Sequence, residues 1–311
     1  MSLKILVCDP IHQDGVKLLR NAGFDVEENF TLTPEQLVAK IGKFDAVVVR
    51  GKTKVTATVL NAGTSLKAVA RSGVGLDNVD LETAKKKAIR VISTPAAPST
   101  SVAELTIGLV LSVLRKMSYA DRAMKQGKWP KGELMGSELK GKTVGVIGAA
   151  GRIGLEVARI AIQGFHANAI GYDVIEYADR AKQIGLTPIQ KLPDLLKVSD
   201  VVTIHVPYMP ATHHLLNEQM INEMKQGAIL VNPSRGDIVD EQALLKQLKS
   251  GKLGGAGLDV FHKEPPVDDW EKEMVALQNV VCTAHIGAQT LECQRLESTQ
   301  VAEQLIEALR K

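Results

Sequence analysis

The chain has 311 residues, of which 45% are apolar and 23% charged, and its formal net charge is +3. These proportions exclude a largely disordered chain, and the dispersal of the basic residues excludes a nucleic-acid-binding face or a polybasic membrane patch. The length suggests two domains, and the aromatic share of 4% shifts their cores toward Val, Ile, Leu and Ala.

Short β-branched runs alternate with amphipathic stretches throughout, which predicts an α/β protein with parallel sheets. The first strands are expected at Lys4–Cys8, Phe24–Glu27, Ala46–Val49, Lys67–Ala70 and Arg90–Ile92. Thr33-Pro34-Glu35 reads as a helix start with Pro at the first helical position, and Val79-Asp80-Leu81-Glu82 leads into a basic helix at Thr83–Ala88. Pro95-Ala96-Ala97-Pro98-Ser99 is a loop and Ser101–Met117 a long apolar helix, which places a domain crossing there. After a turn-rich segment at Gly127–Pro130 come six strands of one parallel sheet, at Thr143–Ile147, Ala169–Tyr172, Val201–His205, Ala228–Asn232, Gly255–Val260 and Val280–Ala284. The last helix, Thr290–Leu309, is expected to return to the first domain. Cys8, Cys282 and Cys293 show neither metal-ligand nor CxxC spacing and read as reduced, buried thiols, with no metal site. The short apolar run at the start is no signal peptide and no run spans a bilayer, so a cytoplasmic location is expected.

Thr143–Gly154 is a strand, a glycine-rich turn and a helix start, the arrangement in which glycines let the backbone approach a pyrophosphate and a helix N-terminus holds its charge. Asp173 ends the next strand about 20 residues after the last glycine, as a dinucleotide fold requires of the carboxylate that binds the ribose. It also repels a 2′-phosphate, so NAD is expected rather than NADP. The glycine spacing is Gly148-x-x-Gly151-x-x-Gly154, one residue longer than GxGxxG, which leaves the loop's shape open.

Arg235, Glu264 and His285 each follow a separate strand of the second sheet. In open α/β sheets ligands lie beyond the carboxyl ends of strands, so the three are expected at one crevice. Oxidation of a secondary alcohol needs a base for the hydroxyl proton, a cation for the neighbouring carboxylate and a hydride acceptor. His, Arg and NAD supply these, and Glu264 is expected to orient the imidazole and stabilise its protonated form. His12, His166, His205, His213 and His214 read as structural, with His262 the exception to watch because it is close to Glu264.

Several blocks in order now carry a resemblance along nearly the whole chain: Val49–Thr56, Arg71–Asp80, Ser101–Glu104, Asn232–Glu241, Leu258–Pro266 and His285–Ala288. The chain resembles the D-isomer-specific 2-hydroxyacid dehydrogenases. The resemblance implies two doubly wound parallel-sheet domains, a flavodoxin-like substrate domain of residues 1–97 and 287–311 and a Rossmann NAD-binding domain of residues 98–286, the latter forming a homodimer. It makes Arg235 the binder of the substrate's carboxylate, His285 the acid/base and Glu264 its partner. Cofactor contacts are implied at Gly148, Gly151, Arg152, Ile153, Gly154, Asp173, His205, Pro207, Thr212 and Asp259, and substrate contacts at Arg50, Lys54, Arg71, Gly73, Val74 and Gly75. Amides near Gly73 and Gly75 are expected to receive a carboxylate. The several cations suggest a second anionic group on the substrate, a phosphate.

Among family members the similarity is greatest to those that oxidise 3-phospho-D-glycerate to 3-phosphohydroxypyruvate at the start of serine biosynthesis. A hydroxypyruvate or glyoxylate reductase, or another D-2-hydroxyacid reductase, is the alternative, and an NAD(H)-sensing binding protein or corepressor the alternative of a different class. The sequence departs from the family pattern at Ala149 and Ala150, at Ala284 where Pro is usual, and at Pro98 in place of a polar residue. A chain ending at Lys311 is expected to lack a C-terminal regulatory domain.

Overall fold

The computed structural model describes residues 2–310. Met1 and Lys311, the outer limits of the expected substrate domain, lie outside the described residues. The chain divides into two compact units, one running up to Pro98 and resuming at Ala288, the other Ser99–Gly287.

The first unit holds β1 (Lys4–Val7), α1 (Gln13–Asn21), β2 (Asp25–Glu28), α2 (Pro34–Ile41), β3 (Ala46–Val49), α3 (Ala57–Ala62), β4 (Ala68–Arg71), α4 (Leu81–Lys86) and β5 (Arg90–Ile92). The second holds α5 (Ser99–Leu114), α6 (Met117–Lys125), β6 (Thr143–Ile147), α7 (Arg152–Phe165), β7 (Asn168–Tyr172), α8 (Ala178–Ile184), β8 (Thr187–Pro188), α9 (Leu192–Val198), β9 (Val201–Ile204), α10 (Glu218–Glu223), β10 (Ile229–Asn232), α11 (Glu241–Lys249), β11 (Gly255–Leu258), α12 (Asp269–Ala276) and β12 (Val280–Cys282). The final helix, α13 (Leu291–Arg310), belongs to the first unit and packs on α1 and β4.

Every strand pairing is parallel, with strand orders β2-β1-β3-β4-β5 and β12-β11-β10-β9-β6-β7-β8. This is the doubly wound α/β architecture that the sequence predicts. Parallel strands need helical crossovers, so both faces of each sheet are covered and the strands become apolar on both sides. In the first unit alternate residues serve opposite faces. Leu6, Val47, Val49 and Val69 pack with Leu37, Val59 and Leu60, while Ile5, Val7, Val48 and Ala70 pack with Leu19, Val301 and Leu305. The second unit repeats the division, with Val144, Val146, Ile229 and Val231 under α5 and α7 and Ile204, Leu230 and Leu258 under α9–α12.

Local chemistry sets the helix ends. Thr33 caps α2 in a reciprocal capping box with Gln36, with Pro34 in the first turn, and Asp80 caps α4, which therefore begins two residues before the expected Thr83. Two expectations change. The helix predicted over Ser101–Met117 stops at Leu114, and Lys116 takes a left-handed backbone (φ +52°) before α6 begins at Met117. The second sheet has seven strands rather than six. The seventh, β8, pairs with β7 at the edge through only two residues, one of them a proline that cannot donate to the ladder, so it shows no alternation in sequence. No helix among the described residues is long and apolar enough to cross a membrane.

Leu195 is fully buried in the core beneath α9. Leu195→Ala is expected to destabilise the second unit by about 2–5 kcal/mol, measured as a lower denaturation midpoint for probes placed in residues 99–287.

Candidate active site

Beyond the carboxyl end of β6 the chain turns at Gly148, whose φ is +87°. A Cβ there would stand 2.6 Å from the His205 carbonyl oxygen, and one on Gly154 would stand 2.4 Å from the Gly148 carbonyl oxygen, so the turn fits only glycine at both places. The additional residue is absorbed inward. Ala149 is fully buried against Gly171, and the Ala150 amide donates to Asp173 Oδ2 at 2.8 Å. Asp173 Oδ1 accepts from the Ile175 amide at 3.1 Å. Gly151 caps α7 with no side-chain hydrogen bond, which leaves the first-turn amides at Arg152, Ile153 and Gly154 for an anion. This cradle fits a dinucleotide pyrophosphate, with Asp173 on the neighbouring strand end. Order reverses between β6 and β9, and the loop after β9 brings His205, Pro207 and Thr212 to the same switch point. Thr212 Oγ1 donates to the Pro207 carbonyl at 2.7 Å. Burial pushes the His205 imidazole down to about 3, so this ring is neutral.

The adjacent strands β10, β11 and β12 carry Arg235, Glu264 and His285 on the loops after them. His285 Nδ1 meets Glu264 Oε2 at 2.8 Å, with the two side chains 46% and 40% exposed. Burial lifts the Glu264 carboxyl, but the hydrogen bond to His285, that ring's charge, the Phe261 amide and the charge of Arg235 outweigh it and hold the group below its ordinary value. Arg235 Nη1 donates to the Ser234 carbonyl at 2.7 Å, and Asn232 binds the Arg235 carbonyl at 2.8 Å. The structure thus brings the three residues to neighbouring strand ends, and it joins Glu264 and His285 directly.

Asp259 takes a place the sequence does not suggest. Its side chain, among the expected cofactor contacts, is fully buried and spent on the His285 loop. Oδ1 accepts from Thr283 Oγ1 at 2.6 Å and the Ile286 amide at 2.8 Å, and Oδ2 from the Gly287 amide at 2.9 Å. His285 itself is held with φ +52°, a conformation costly for a residue with a Cβ, and those bonds offset the cost. Beside this loop, Glu241 is buried and accepts from the His262 amide at 3.1 Å, while His262 Nδ1 meets Asp237 Oδ1 at 2.5 Å. Burial, assisted by the charges of Glu271 and Asp237 and opposed by the bond from His262, pushes Glu241 up to about 7. All three thiols are free, and burial pushes Cys8 and Cys293 up to about 12 and Cys282 to about 11, which makes them unreactive.

In the first unit Arg50 and Lys54 lie on the loop after β3 and Arg71 ends β4. Asp9 at the end of β1 accepts from the Arg50 amide at 2.6 Å, the Thr53 amide at 3.1 Å and Thr53 Oγ1 at 2.6 Å, and Asn78 donates to the carbonyls of Arg50 and Thr53. Lys54 borders a cavity of about 620 Å³ whose floor includes Cys8, Leu37 and Val59. Arg71 folds over Gly73, where a Cβ would stand 1.6 Å from Arg71 Nη1. The Gly73 amide itself donates to Thr94 Oγ1 at 2.9 Å. Val74 and Gly75 lie in the turn that follows, and Val74 is exposed. Glu297, which no motif signals, is buried on α13 with its Oε2 3.7 Å from Arg50 Nη2.

Residues 107–287 match the family model described as D-isomer specific 2-hydroxyacid dehydrogenase, NAD binding domain. The chain belongs to this family. Residues 107–287 are accordingly an NAD-binding domain. The chain is 44% identical over 308 residues to a D-3-phosphoglycerate dehydrogenase of Methanocaldococcus jannaschii, an alignment that takes in 99% of this chain and 58% of that protein. It is 42% identical over 308 residues to a hydroxypyruvate reductase of Thermotoga maritima, with 98% of each covered. The crystal structure of a D-lactate dehydrogenase from Aquifex aeolicus complexed with NAD and lactic acid is similar at a TM-score of 0.83 and 30% identity, covering 99% of this chain and 94% of that one. The chain spans somewhat more than half the length of the phosphoglycerate dehydrogenases it matches.

Two measurements check the geometry. Asp259→Ala strips three donors of their acceptor and is expected to cost roughly 3 kcal/mol or more, with amide exchange at Ile286 and Gly287 accelerating before that of the β11 core. Glu241 holds a proton more readily in the folded chain, at about 7 against 4.5, so the folded state binds more protons between those pH values and stability falls as pH rises through them. His262, whose protonated form Asp237 favours, adds a loss of the same sign. Glu241→Gln is expected to flatten the fall by about 3 kcal/mol, read from unfolding midpoints between pH 5 and 8; curves parallel to wild type would show that Glu241 is ionised throughout.

Proposed function

We propose that this protein oxidises 3-phospho-D-glycerate to 3-phosphohydroxypyruvate with NAD. The observation that carries the reading is the 2.8 Å bond between His285 Nδ1 and Glu264 Oε2 on a loop end next to Arg235. With Nδ1 engaged by a carboxylate, Nε2 is the nitrogen that takes the substrate's hydroxyl proton, and Glu264 stabilises the imidazolium that results. Arg235 pairs with the carboxylate beside the reacting carbon and steadies the charge developing on the oxygen. NAD, held at the cradle with Asp173 on its ribose, supplies the hydride acceptor. Asp259 acts as a positioning residue, fixing the backbone from which His285 projects. Residues 98–286 serve as the NAD-binding domain and residues 1–97 with 287–311 as the substrate domain, where Arg50, Lys54 and Arg71 take the phosphate.

A homodimer through the NAD-binding domain fits the large apolar side chains left exposed along α6 and the segment after it. Met117 and Met124 are about half exposed, and Trp129 and Met135 are 76% and 84% exposed.

A second reading, reduction of hydroxypyruvate, has an observation of its own. Glu297 stands beside Arg50 and offsets part of the positive charge that a phosphate would meet.

His285→Ala is expected to lower kcat by about 10²–10⁴, and Glu264→Gln to lower it less while shifting the pH profile. A panel of oxo acids with NADH decides the substrate. A preference for 3-phosphohydroxypyruvate over hydroxypyruvate and glyoxylate of about tenfold or more in kcat/KM supports the first reading, and equal rates favour the second.

A further inference from the structure

Arg50 is fixed from three directions. Its amide is bound by Asp9 and its carbonyl by Asn78, so the backbone is settled. The guanidinium end depends on something else. Glu297 lies 1% exposed on α13, with Oε2 3.7 Å from Arg50 Nη2, and both Glu297 Oε2 and Arg50 Nε are enclosed without a hydrogen-bond partner. Arg71, at the end of β4, is near enough for its charge to act on the same carboxylate, and Cys293, one helical turn earlier, bonds to it.

A carboxylate enclosed this deeply opposes folding unless cations face it, and the low local dielectric that makes burial costly strengthens its pull on them. Two guanidiniums at adjacent strand ends repel each other, and a long side chain with no anchor samples many rotamers. A carboxylate that pairs with Arg50, whose neighbour Val49 is in register with Arg71, lessens each problem. It attracts both charges, and 22% of the Arg50 side chain stays exposed for a ligand.

We infer that Glu297 is a positioning residue that holds Arg50 and Arg71 as a convergent pair for the second anionic group of the substrate. This rests on the phosphorylated-substrate reading given above. Preorganisation of this kind acts on binding, so it appears in KM rather than in the chemical step.

The test compares wild type, Glu297→Gln, Arg50→Ala and the double variant, with 3-phosphohydroxypyruvate and hydroxypyruvate as substrates and inorganic phosphate as a competitive inhibitor. Glutamine keeps the shape and removes the charge, and melting curves confirm that it folds. The expected result is a KM for 3-phosphohydroxypyruvate and an inhibition constant for phosphate each raised about tenfold. The KM for hydroxypyruvate moves less than about twofold, and the phosphate effect disappears in the Arg50→Ala background because the two residues act as one unit. An equal rise for both substrates, or additive losses, would reduce Glu297 to a structural residue and overturn the inference. A lower KM for 3-phosphohydroxypyruvate would overturn it too, by making the carboxylate a competitor of the ligand. If wild type neither prefers the phosphorylated substrate nor responds to phosphate, the substrate reading falls and takes this inference with it. A wild type that discriminates and a variant that discriminates equally remove only the inference.

Discussion

The buried carboxylate of Asp259 is the constraint on which the reactive end of the second sheet depends. A strand end is a poor place to aim a side chain, because the ladder that fixes the backbone has just run out. Asp259 replaces the lost ladder by accepting two amides and a hydroxyl from the segment 283–287, while its own carbonyl takes the His285 amide at 2.8 Å. The segment closes tightly enough to hold His285 in a left-handed backbone. Removing water from an acceptor with several partners makes each bond stronger and the arrangement costlier to disturb. A buried polar group therefore does for the loop what apolar packing does for the strands.

Parallel sheets explain why so few residues carry so much. With helices on both faces, β-strand side chains are consumed by two cores, and only the loops at strand ends are left for chemistry. Arg235, Glu264 and His285 come from consecutive loops because β10, β11 and β12 are consecutive in the sheet. In the first unit the same logic puts Arg50 and Arg71 on the adjacent ends of β3 and β4. Charge is treated differently in the two places. The Glu264 and His285 pair is half exposed, so its proton can move, whereas Glu297 is sealed in, its carboxyl lifted by burial and drawn back only in part by the charges of Arg50 and Arg71.

Much of this was legible in the sequence, for a physical reason. Strands buried on both faces are written as uninterrupted β-branched runs, so Ala46–Val49 and Val201–Ile204 announce themselves, and helix starts such as Thr33-Pro34 carry their own capping chemistry. The two-residue edge strand β8 was not legible, since pairing there is set by its neighbour rather than by its own residues. The break at Lys116 was missed because neither Gly nor Pro stands there to signal a left-handed residue. Of the site, Arg235, Glu264 and His285 were readable as polar residues after strands. Asp9 could have been found by the same signal, a carboxylate directly after the run Lys4–Cys8. The loop-holding bonds of Asp259 were not legible, because sequence gives a residue's position along a strand but not the direction in which its neighbours' amides point. Glu297 gave no signal, since it occupies a helix position where a glutamate is ordinarily solvated.

The glycine loop shows how a departure from a pattern can leave its chemistry intact. An added residue in a turn either bulges outward, into the space of a ligand, or is taken into the protein. Here Ala149 is taken inward, filling the space beside Gly171, and the amide of Ala150 is satisfied by Asp173. The turn keeps its essential contact, the close approach of Gly154 to Gly148, and α7 still begins without a side-chain cap. Asp173 thereby holds the loop with one oxygen. Because each carboxylate oxygen accepts more than one hydrogen bond, the group keeps acceptor capacity, and the Ala150 amide fixes its direction. The longer loop thus gains a hydrogen bond, and the acidic residue at the neighbouring strand end becomes part of the turn.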